Sequence, residues 1–412
     1  MWLSWESVRL LKPEKVKQDL VSGKHELIIV GAGPAGAMAA YWAASRGVDV
    51  TILDRAPVKR AKPCAGGLST KALALLPFSV ADIVERSTSH IIVGLGNNTG
   101  VALTAEGIIC GFVVREDFDR HLLNHALKAG ARLRRIEELR GLTLDPEQVQ
   151  LEINGGEVLS TQYVIAADGA NSRMRRLAVP HGAFSRGFAL EGTISRSKLS
   201  FAPGMELNFG CPRLGYGWVF PKADHVNVGL YTSQETVRLS KDMLRDFASS
   251  KLGTDQVESI VGFPLGFGGA SYRQTEERLL FAGDAAGMVE PLLGEGIYNA
   301  IRSGELAGLA VANALRQQRP ARESYNASMR PLRRDLRRGE WVSKLFYRYL
   351  EEIGFKVLQN RVISAGLIRG YAAGRTFHQI IDRFALMPWQ KPLQSDRIKE
   401  LDSRDDSGCL PD

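Results

Sequence analysis

The sequence lacks most of the features that would take a 412-residue chain out of the ordinary globular class. Its four cysteines lie too far apart for zinc-ligand pairs, and no signal peptide precedes them, so we expect a reduced, cytoplasmic setting. Basic residues exceed acidic ones by only 53 to 45, which suits an anionic ligand or an acidic membrane surface but is too weak to indicate nucleic acid. Internal repeats, a GxxxxGK[ST] phosphate loop and a GxSxG nucleophile elbow are all missing, so neither an NTPase nor a hydrolase is supported.

Long hydrophobic runs are scarce as well. Residues 27–45 carry no charge and could be taken for a membrane span, but Pro34 and several glycines would break the helix in its middle. The non-alternating apolar run at 27–30 instead predicts a short strand buried on both faces. A glycine-rich turn, an alanine-rich helix and a second strand ending at Asp54 follow it.

The glycine-rich turn has the spacing of a dinucleotide-binding fingerprint. Gly31 permits a tight turn, Gly33 lets the backbone approach a pyrophosphate, and Gly36 lets helix and strand pack closely. The helix start would offer unpaired N–H groups to phosphates. Asp54 follows at about the distance, roughly 20 residues, where a carboxylate would accept hydrogen bonds from ribose hydroxyls. This pattern predicts dinucleotide binding without separating FAD from NAD.

Two later segments repeat the pattern of a buried strand that ends in a turn with an aspartate. Residues 163–172 place Asp168 in an Asp-Gly turn, and residues 279–287 place Asp284 in a Gly-Asp turn before a helix start. Asp168 would fit near a pyrophosphate, and Asp284 near a ribityl hydroxyl with the following amides facing a flavin. Either segment alone is also compatible with an ordinary strand and turn.

Taken with the fingerprint and the Asp54-Arg55 pair, these segments resemble the flavoprotein family of aromatic hydroxylases and its relatives. That family builds its FAD domain from separated stretches of chain with a substrate domain inserted between them. The resemblance covers most of residues 25–315 and implies that the cofactor is FAD. It also implies cofactor-binding roles for the matching positions, which are Gly31, Gly33, Ala35, Gly36, Asp54, Arg55, Arg115, Asp168, Gly169, Gly283 and Asp284.

Three further motifs resemble one branch of this family, the geranylgeranyl reductases, which saturate isoprenoid double bonds in chlorophyll precursors or archaeal-type lipids. They are the cysteine-glycine segment at 63–69, the Y-x-W-x-F-P-K segment at 216–222 and the Pro-Leu-Leu-Gly-Glu-Gly-Ile segment at 291–297. The third motif adds Gly294, Gly296 and Ile297 to the expected cofactor-binding residues. The chain departs from the branch at Ala65, where many members carry glycine, so the substrate stays open.

The implied fold class is α/β. We expect a Rossmann-like FAD-binding domain built from separated segments, an inserted antiparallel-sheet substrate domain and a helical C-terminal region. The expected bounds are 1–24 for an N-terminal extension, 25–180 for the first parts of the FAD-binding domain with an excursion near 78–108, 181–275 for the substrate sheet, 276–320 for the last part of the FAD-binding domain, 321–390 for the helical region and 391–412 for a polar tail.

Saturating a plain alkene requires a site that holds the double bond against the flavin and supplies a proton to the other carbon. Near-attack geometry with water excluded would provide most of the rate. Tyr216 and Trp218, on an apolar aromatic strand, could line such a slot together with Phe220. The alternative is that these rings are ordinary sheet core.

Cys64 also has two interpretations. A buried free cysteine is usually a small hydrophobe without a role. Lys59, Arg60 and Lys62 are close in sequence, however, and positive charge near a thiol favours the thiolate, so Cys64 could take part in the proton path. We therefore take Cys64, Tyr216 and Trp218 as the candidate catalytic residues.

No metal site is expected. His121 and His125 stand four residues apart on a predicted helix, a spacing that could present two imidazoles to a metal. Neither a glutamate between them nor an obvious third ligand is present, so we interpret this as a solvent-facing side of the helix.

The sequence leaves more than one possibility for the electron donor and for the reaction. We expect NADPH or a small electron carrier to reduce the flavin, and a hydrophobic isoprenoid to be the substrate. A monooxygenase or hydroxylase on the same fold is the main rival. A halogenase fits less well because Tyr216 and Phe220 depart from the W-x-W-x-I-P segment of that class. The third alternative is a flavoprotein that has a binding or regulatory role and no catalytic turnover.

The C-terminal third predicts helices almost to Asp382, with breaks near Pro320 and Pro331. A cluster of arginines at 330–338 precedes aromatic and aliphatic residues at helical spacing. This pattern fits a solvated basic face on a helix packed against the body. It also fits a docking surface for an anionic membrane or a lipid phosphate, which would place the protein peripherally on the inner face of a membrane. The helix-like segment 1–20 could serve the same end.

Overall fold

The structure is a computed structural model that describes residues 25–57, 62–96, 100–179, 184–317, 320–349, 356, 359–376, 379–380 and 382. The N-terminal extension, the polar tail, Lys59 and Arg60 therefore lie outside the described residues.

The strands in chain order are β1 (His25–Val30), β2 (Val50–Asp54), β3 (Gly67–Ser69), β4 (Val84–Thr88), β5 (His90–Leu95), β6 (Val101–Thr104), β7 (Cys110–Val113), β8 (Arg132–Arg135), β9 (Leu139–Leu144), β10 (Val149–Ile153), β11 (Glu157–Ala166), β12 (Ser185–Ser195), β13 (Glu206–Phe209), β14 (Gly215–Pro221), β15 (His225–Thr232), β16 (Glu258–Phe267) and β17 (Leu279–Phe281).

The α-helices are α1 (Pro34–Ala44), α2 (Thr70–Leu75), α3 (Arg115–Lys128), α4 (Arg173–Ala178), α5 (Lys241–Leu252), α6 (Ile297–Gln317), α7 (Ala321–Ser328), α8 (Arg330–Arg348) and α9 (Arg361–Ala372). Short 3-10 helices occur at Ala81–Ile83, Arg196–Lys198 and Gly283–Ala286. None of the helices in the described part of the chain combines the length and the apolar character needed to cross a bilayer.

The first sheet is built around four parallel strands in the order β8-β2-β1-β11. The long strand β11 pairs in parallel with β17 near its end and antiparallel with β10 near its start, and β9 extends the sheet beyond β10. Because β1 and β17 are fully or largely buried, both carry continuous apolar runs rather than an alternating pattern. Strands far apart in sequence therefore end side by side at one edge.

The second sheet has the order β16-β12-β15-β14-β13-β5-β6. Its pairs are antiparallel except for β13 and β5, which run parallel. Strands β5 and β6 come from the predicted excursion and join strands of the predicted substrate segment. A third sheet, β3-β7-β4, is formed by strands that lie in the sequence between strands of the two larger sheets. The mixed α/β class with separated segments, an antiparallel sheet and C-terminal helices is confirmed.

Candidate active site

One cavity of about 1220 Å³ lies where the ends of the parallel strands face the second sheet. Its wall includes Val30, Asp54 and Ala167, which end or directly follow β1, β2 and β11. Ligands of open α/β sheets bind outside the carboxyl ends of the strands, so this is the expected position. The predicted site residues that line it are Gly31, Gly33, Asp54, Arg55, Cys64, Arg115, Asp168, Gly169, Tyr216, Trp218, Asp284, Gly294, Gly296 and Ile297.

The turn between β1 and α1 leaves room for a ligand at the helix start. Gly31 has φ of +106°, and a Cβ added there would lie 2.4 Å from the carbonyl oxygen of Ala167. Gly33 is the N-cap of α1, no side chain caps the helix, and its first turn holds no acidic residue. The amides and the positive dipole end of α1 thus face the cavity with no acidic residue in the first turn of the helix, which fits an anionic group.

Ala35, Gly36 and Gly283 lie outside the cavity wall and have packing roles. A Cβ on Gly36 would lie 1.8 Å from the carbonyl oxygen of Gly31, so glycine is needed to close the turn. A Cβ on Gly283 would lie 2.8 Å from the Cβ of Ala35. The Gly283 position also lies 3.5 Å from the Cβ of Ala300, so its turn packs between the starts of α1 and α6.

Two of the three predicted aspartates are held by the backbone. The carboxylate of Asp54 accepts hydrogen bonds from the amides of Ala32 at 2.6 Å and Ala56 at 2.7 Å. The carboxylate of Asp168 accepts from the Ser172 hydroxyl at 2.6 Å and from the amides of Arg173 and Met174 at the start of α4. Both residues line the cavity while fixing the turns that follow their strands.

The pKa of Asp284 is shifted by its surroundings. Burial raises the pKa of its carboxyl group, although Lys62, Arg115 and Arg175 are close enough to counteract this. Its backbone carbonyl accepts a hydrogen bond from the Arg175 guanidinium at 3.3 Å. The carboxyl group faces Gly296, whose added Cβ would lie 3.5 Å from Asp284 Oδ1.

The Cys64 segment meets cations that are distant in sequence. The buried Arg115 guanidinium holds Asp119 through bonds of 2.9 and 3.0 Å and also contacts Cys64. Burial disfavours its charge, but Asp119 and Cys64 outweigh this and raise the pKa of Arg115. The buried Lys222 ammonium donates to the carbonyl oxygen of Val113 at 2.8 Å. Burial lowers the pKa of Lys222, against the opposing effect of Cys64.

Tyr216 and Trp218 form one wall of the cavity. The Tyr216 hydroxyl donates to the carbonyl oxygen of Leu293 at 2.5 Å, and the Trp218 indole donates to Asn227 Oδ1 at 2.7 Å. The two ring centroids are 6.2 Å apart. The indole lies over Gly229 of β15, where an added Cβ would be 2.1 Å from the ring. Both side chains are therefore fixed by hydrogen bonds and by strand packing.

The segment after β17 lines the cavity next to these rings. Gly294 has φ of +65°, and a Cβ there would lie 2.9 Å from the ring of Tyr231. The Glu295 carboxylate accepts from the Ser69 hydroxyl at 2.5 Å and pairs with Lys71 at 2.5 Å. These contacts tie the third glycine-rich motif to the chain that follows Cys64.

Sequence reasoning missed Glu191 and gave Lys222 no individual role. Glu191 lies on β12 at an inward position, after Gly187 and Ala189 in the alternating burial pattern of the strand. A charged residue at an inward position of an alternating strand is the signal that could have identified it.

Comparisons with known proteins identify relatives of this chain. Residues 24–191 match the family model described as an FAD binding domain. The chain is 34% identical over 327 residues to geranylgeranyl diphosphate reductase of Rhodobacter capsulatus, covering 72% of this chain and 78% of that protein. It is 31% identical over 319 residues to digeranylgeranylglycerophospholipid reductase 1 of Methanopyrus kandleri, covering 71% and 81%.

Solved structures show the same fold. The crystal structure of a geranylgeranyl bacteriochlorophyll reductase-like protein from Thermoplasma acidophilum has a TM-score of 0.64 at 22% identity, covering 94% of this chain and 98% of that one. The halogenase PltM in complex with phloroglucinol and FAD has a TM-score of 0.66 at 16% identity, covering 92% and 85%. On the strength of the sequence relatives, the chain belongs to the geranylgeranyl reductase family and is an FAD-dependent oxidoreductase.

Proposed function

We propose that the protein saturates carbon–carbon double bonds of an isoprenoid lipid or pigment precursor. The observation that carries this proposal is the shared cavity, which continues from the glycine turn of α1 into an apolar compartment. The second sheet and the C-terminal helices supply that compartment with aliphatic and aromatic side chains, which include Ile91, Val93, Leu207, Phe209, Val342, Phe346, Ile363, Leu367 and Ile368. A volume of about 1220 Å³ exceeds the usual 300–1,000 Å³ of a pocket for one small ligand, so cofactor and substrate can share it.

The residues around the glycine turn fit FAD. We expect Gly31, Gly33 and the amides of α1 to hold the pyrophosphate, with Asp54 and Arg55 at the adenosine end. We place Asp284 and the turn at 294–297 at the flavin end. When bound there in its reduced state, FAD would supply the hydride for the alkene.

The wall formed by Cys64, Tyr216 and Trp218 would hold the alkene. The two rings are fixed by hydrogen bonds to Leu293 and Asn227, so an isoprenoid entering between them would be oriented without reorganisation of the site. Their apolar faces would also exclude water from the reacting carbons. We place Cys64 beside the same bond because it lines the same cavity as the glycine turn and the rings.

We also propose NADPH or a small electron carrier as the reductant, and a peripheral position on the cytoplasmic face of a membrane. Helix α8 supports the second proposal. Its residues Trp341 and Leu345 are exposed, whereas Val342 and Phe346 on the same helix line the cavity. An isoprenoid could therefore pass from a bilayer into the site along one helix.

Mass spectrometry of lipids and pigments from cells with and without this protein tests the reaction. We expect a gain of about two mass units per saturated bond, because each reduction adds a hydride and a proton. Purified protein reduced under anaerobic conditions should saturate the same compound. Stopped-flow mixing of the reduced protein with oxygen tests the oxygenase alternative, because a long-lived flavin hydroperoxide would favour hydroxylation. Reducible flavin without turnover on a panel of prenyl compounds would favour a binding or regulatory role.

A further inference from the structure

Glu191 lines the cavity beside the two aromatic rings that we propose hold the alkene. In the second sheet, Glu191 of β12 and Trp218 of β14 both pair with Gly229 of β15. Laterally paired residues of neighbouring strands point to the same face of a sheet. The carboxyl group and the indole therefore project from the same face on either side of Gly229, and the indole fills the space that a side chain there would need.

One oxygen of the Glu191 carboxyl group accepts a hydrogen bond of ordinary geometry, and the other does not. Oε1 accepts the Cys64 amide at 2.7 Å, so Glu191 also fixes the chain at the cysteine. Oε2 is buried and accepts no hydrogen bond of ordinary geometry from any residue that the structure describes. A buried charged oxygen without a well-placed donor is costly, so the carboxyl group is stabilised by carrying a proton there.

The surroundings favour a proton that can be exchanged near neutral pH. Burial raises the pKa of Glu191 to about 7, and the Cys64 amide, Lys222, Asn227 and Arg115 limit that rise. Burial also raises the pKa of Glu290 to about 7, but both of its carboxyl oxygens accept hydrogen bonds, from the amides of Leu292 and Leu293. Glu290 is also absent from the cavity lining, so it provides a matched control.

We propose that Glu191 supplies the proton that completes reduction of the double bond. The inference rests on the proposed function. One alkene carbon receives a hydride from reduced FAD, and the other receives the proton from the Glu191 carboxyl group. The O–H bond breaks as the C–H bond forms, and the remaining carboxylate takes its next proton from solvent. Cys64 then orients the alkene, and the titration of Glu191 sets the pH dependence.

The test compares Glu191→Gln with Glu191→Asp and Glu290→Gln in FAD-loaded protein reduced anaerobically and supplied with a prenyl substrate. The Gln side chain can still accept a hydrogen bond from the Cys64 amide, so the fold and the flavin spectrum should persist. Because the protonated form is the donor, wild-type turnover should fall as pH rises through about 7. We expect Glu191→Gln to lose about 10²-fold in turnover and this pH dependence, and Glu191→Asp and Glu290→Gln to keep the dependence.

Infrared spectra give a second readout that does not require turnover. The carboxylic acid stretching band that titrates near neutral pH should lose one component in Glu191→Gln and a different one in Glu290→Gln. Wild-type turnover and pH dependence in Glu191→Gln would overturn the inference and leave the proposed function intact, as would an unchanged infrared band in that variant. An inactive wild-type enzyme would overturn both.

Discussion

Trp218 and Gly229 depend on each other at the scale of single residues. The indole occupies the space that a side chain on Gly229 would need, and its ring nitrogen is anchored to Asn227. A ring held in this way has one position available, which is what a slot for an alkene requires. The glycine therefore acts on the site without lining it.

Gly229→Ala should displace the indole and lower turnover. The new Cβ would lie 2.1 Å from the ring, so Trp218 has to move, and a misplacement near 1 Å can cost about 10²-fold in rate. FAD content should not change. Gly204→Ala is the control, since no atom lies within 4 Å of its added Cβ. Wild-type turnover in Gly229→Ala would show that the position of Trp218 does not matter.

Cys64 can be tested at the same scale. We expect Cys64→Ser and Cys64→Ala to lower turnover about 10²-fold and to keep both the spectrum of bound flavin and the pH dependence, because Glu191 is retained. Cys211→Ser is the control, since Cys211 is half-buried and lies outside the cavity lining. Turnover at the wild-type rate in both Cys64 variants would remove this residue from the mechanism.

At the scale of elements, α1 and α6 pack through glycines rather than through large apolar side chains. Added Cβ atoms on Gly304 and Gly308 of α6 would lie 2.1 Å from the Ala35 carbonyl oxygen and 2.3 Å from that of Ala39. The backbones of the two helices are therefore close. This contact fixes the start of α1, which is the expected pyrophosphate site.

Gly304→Ala should consequently destabilise the protein and weaken FAD retention. Glycine to alanine in a helix interior normally stabilises, but here overpacking against the Ala35 backbone should cost about 1–3 kcal/mol. Asn313→Ala, on the exposed side of the same helix, is the control and should be neutral or slightly stabilising. Thermal melts with and without FAD measure both effects, and equal melting temperatures for Gly304→Ala and wild type would contradict the prediction.

Some of these elements and contacts could be predicted from the sequence, and others could not. The strand, turn and helix from β1 to α1 depend on local patterns, so the positions of Gly31, Gly36 and Asp54 followed from spacing alone. Two cations that interact with Cys64 did not follow from spacing. Sequence proximity suggested Lys59, Arg60 and Lys62, of which only Lys62 lies in the described part of the chain. Arg115 and Lys222 are brought towards the cysteine by strand pairings that no local pattern encodes. The parallel pairing of β13 with β5 is non-local for the same reason.

At the scale of the whole molecule, separated segments of chain meet around one cavity. The glycine turn, the Cys64 segment, the aromatic strand β14 and the turn at 294–297 all contribute to its wall. Helices α8 and α9 close the apolar part and carry large exposed hydrophobic side chains on their outer surfaces. In the proposed function, catalysis inside the cavity and access from outside would be linked through these helices.

The outer surface of α8 should bind anionic membranes. Trp341 is 66% exposed and Leu345 is 45% exposed, and Arg334, Arg337 and Arg338 lie beside them on the same helix. Burying large apolar side chains in the bilayer interface should contribute about 1–2 kcal/mol each, and the arginines should add an electrostatic attraction that salt weakens. The measurement is co-sedimentation with vesicles of phosphatidylglycerol or of phosphatidylcholine alone.

Trp341→Ser and Leu345→Ser should each lower the affinity for anionic vesicles by about 10-fold and leave turnover on a detergent-solubilised substrate unchanged. Phe201→Ser is the matched control because Phe201 is 50% exposed and lies away from α8 in sequence and from the cavity lining. Equal vesicle binding by all three variants and wild type would show that substrate enters without this surface. Reduced binding with unchanged chemistry would separate access to the isoprenoid from its reduction, because only the outer side chains of α8 were altered.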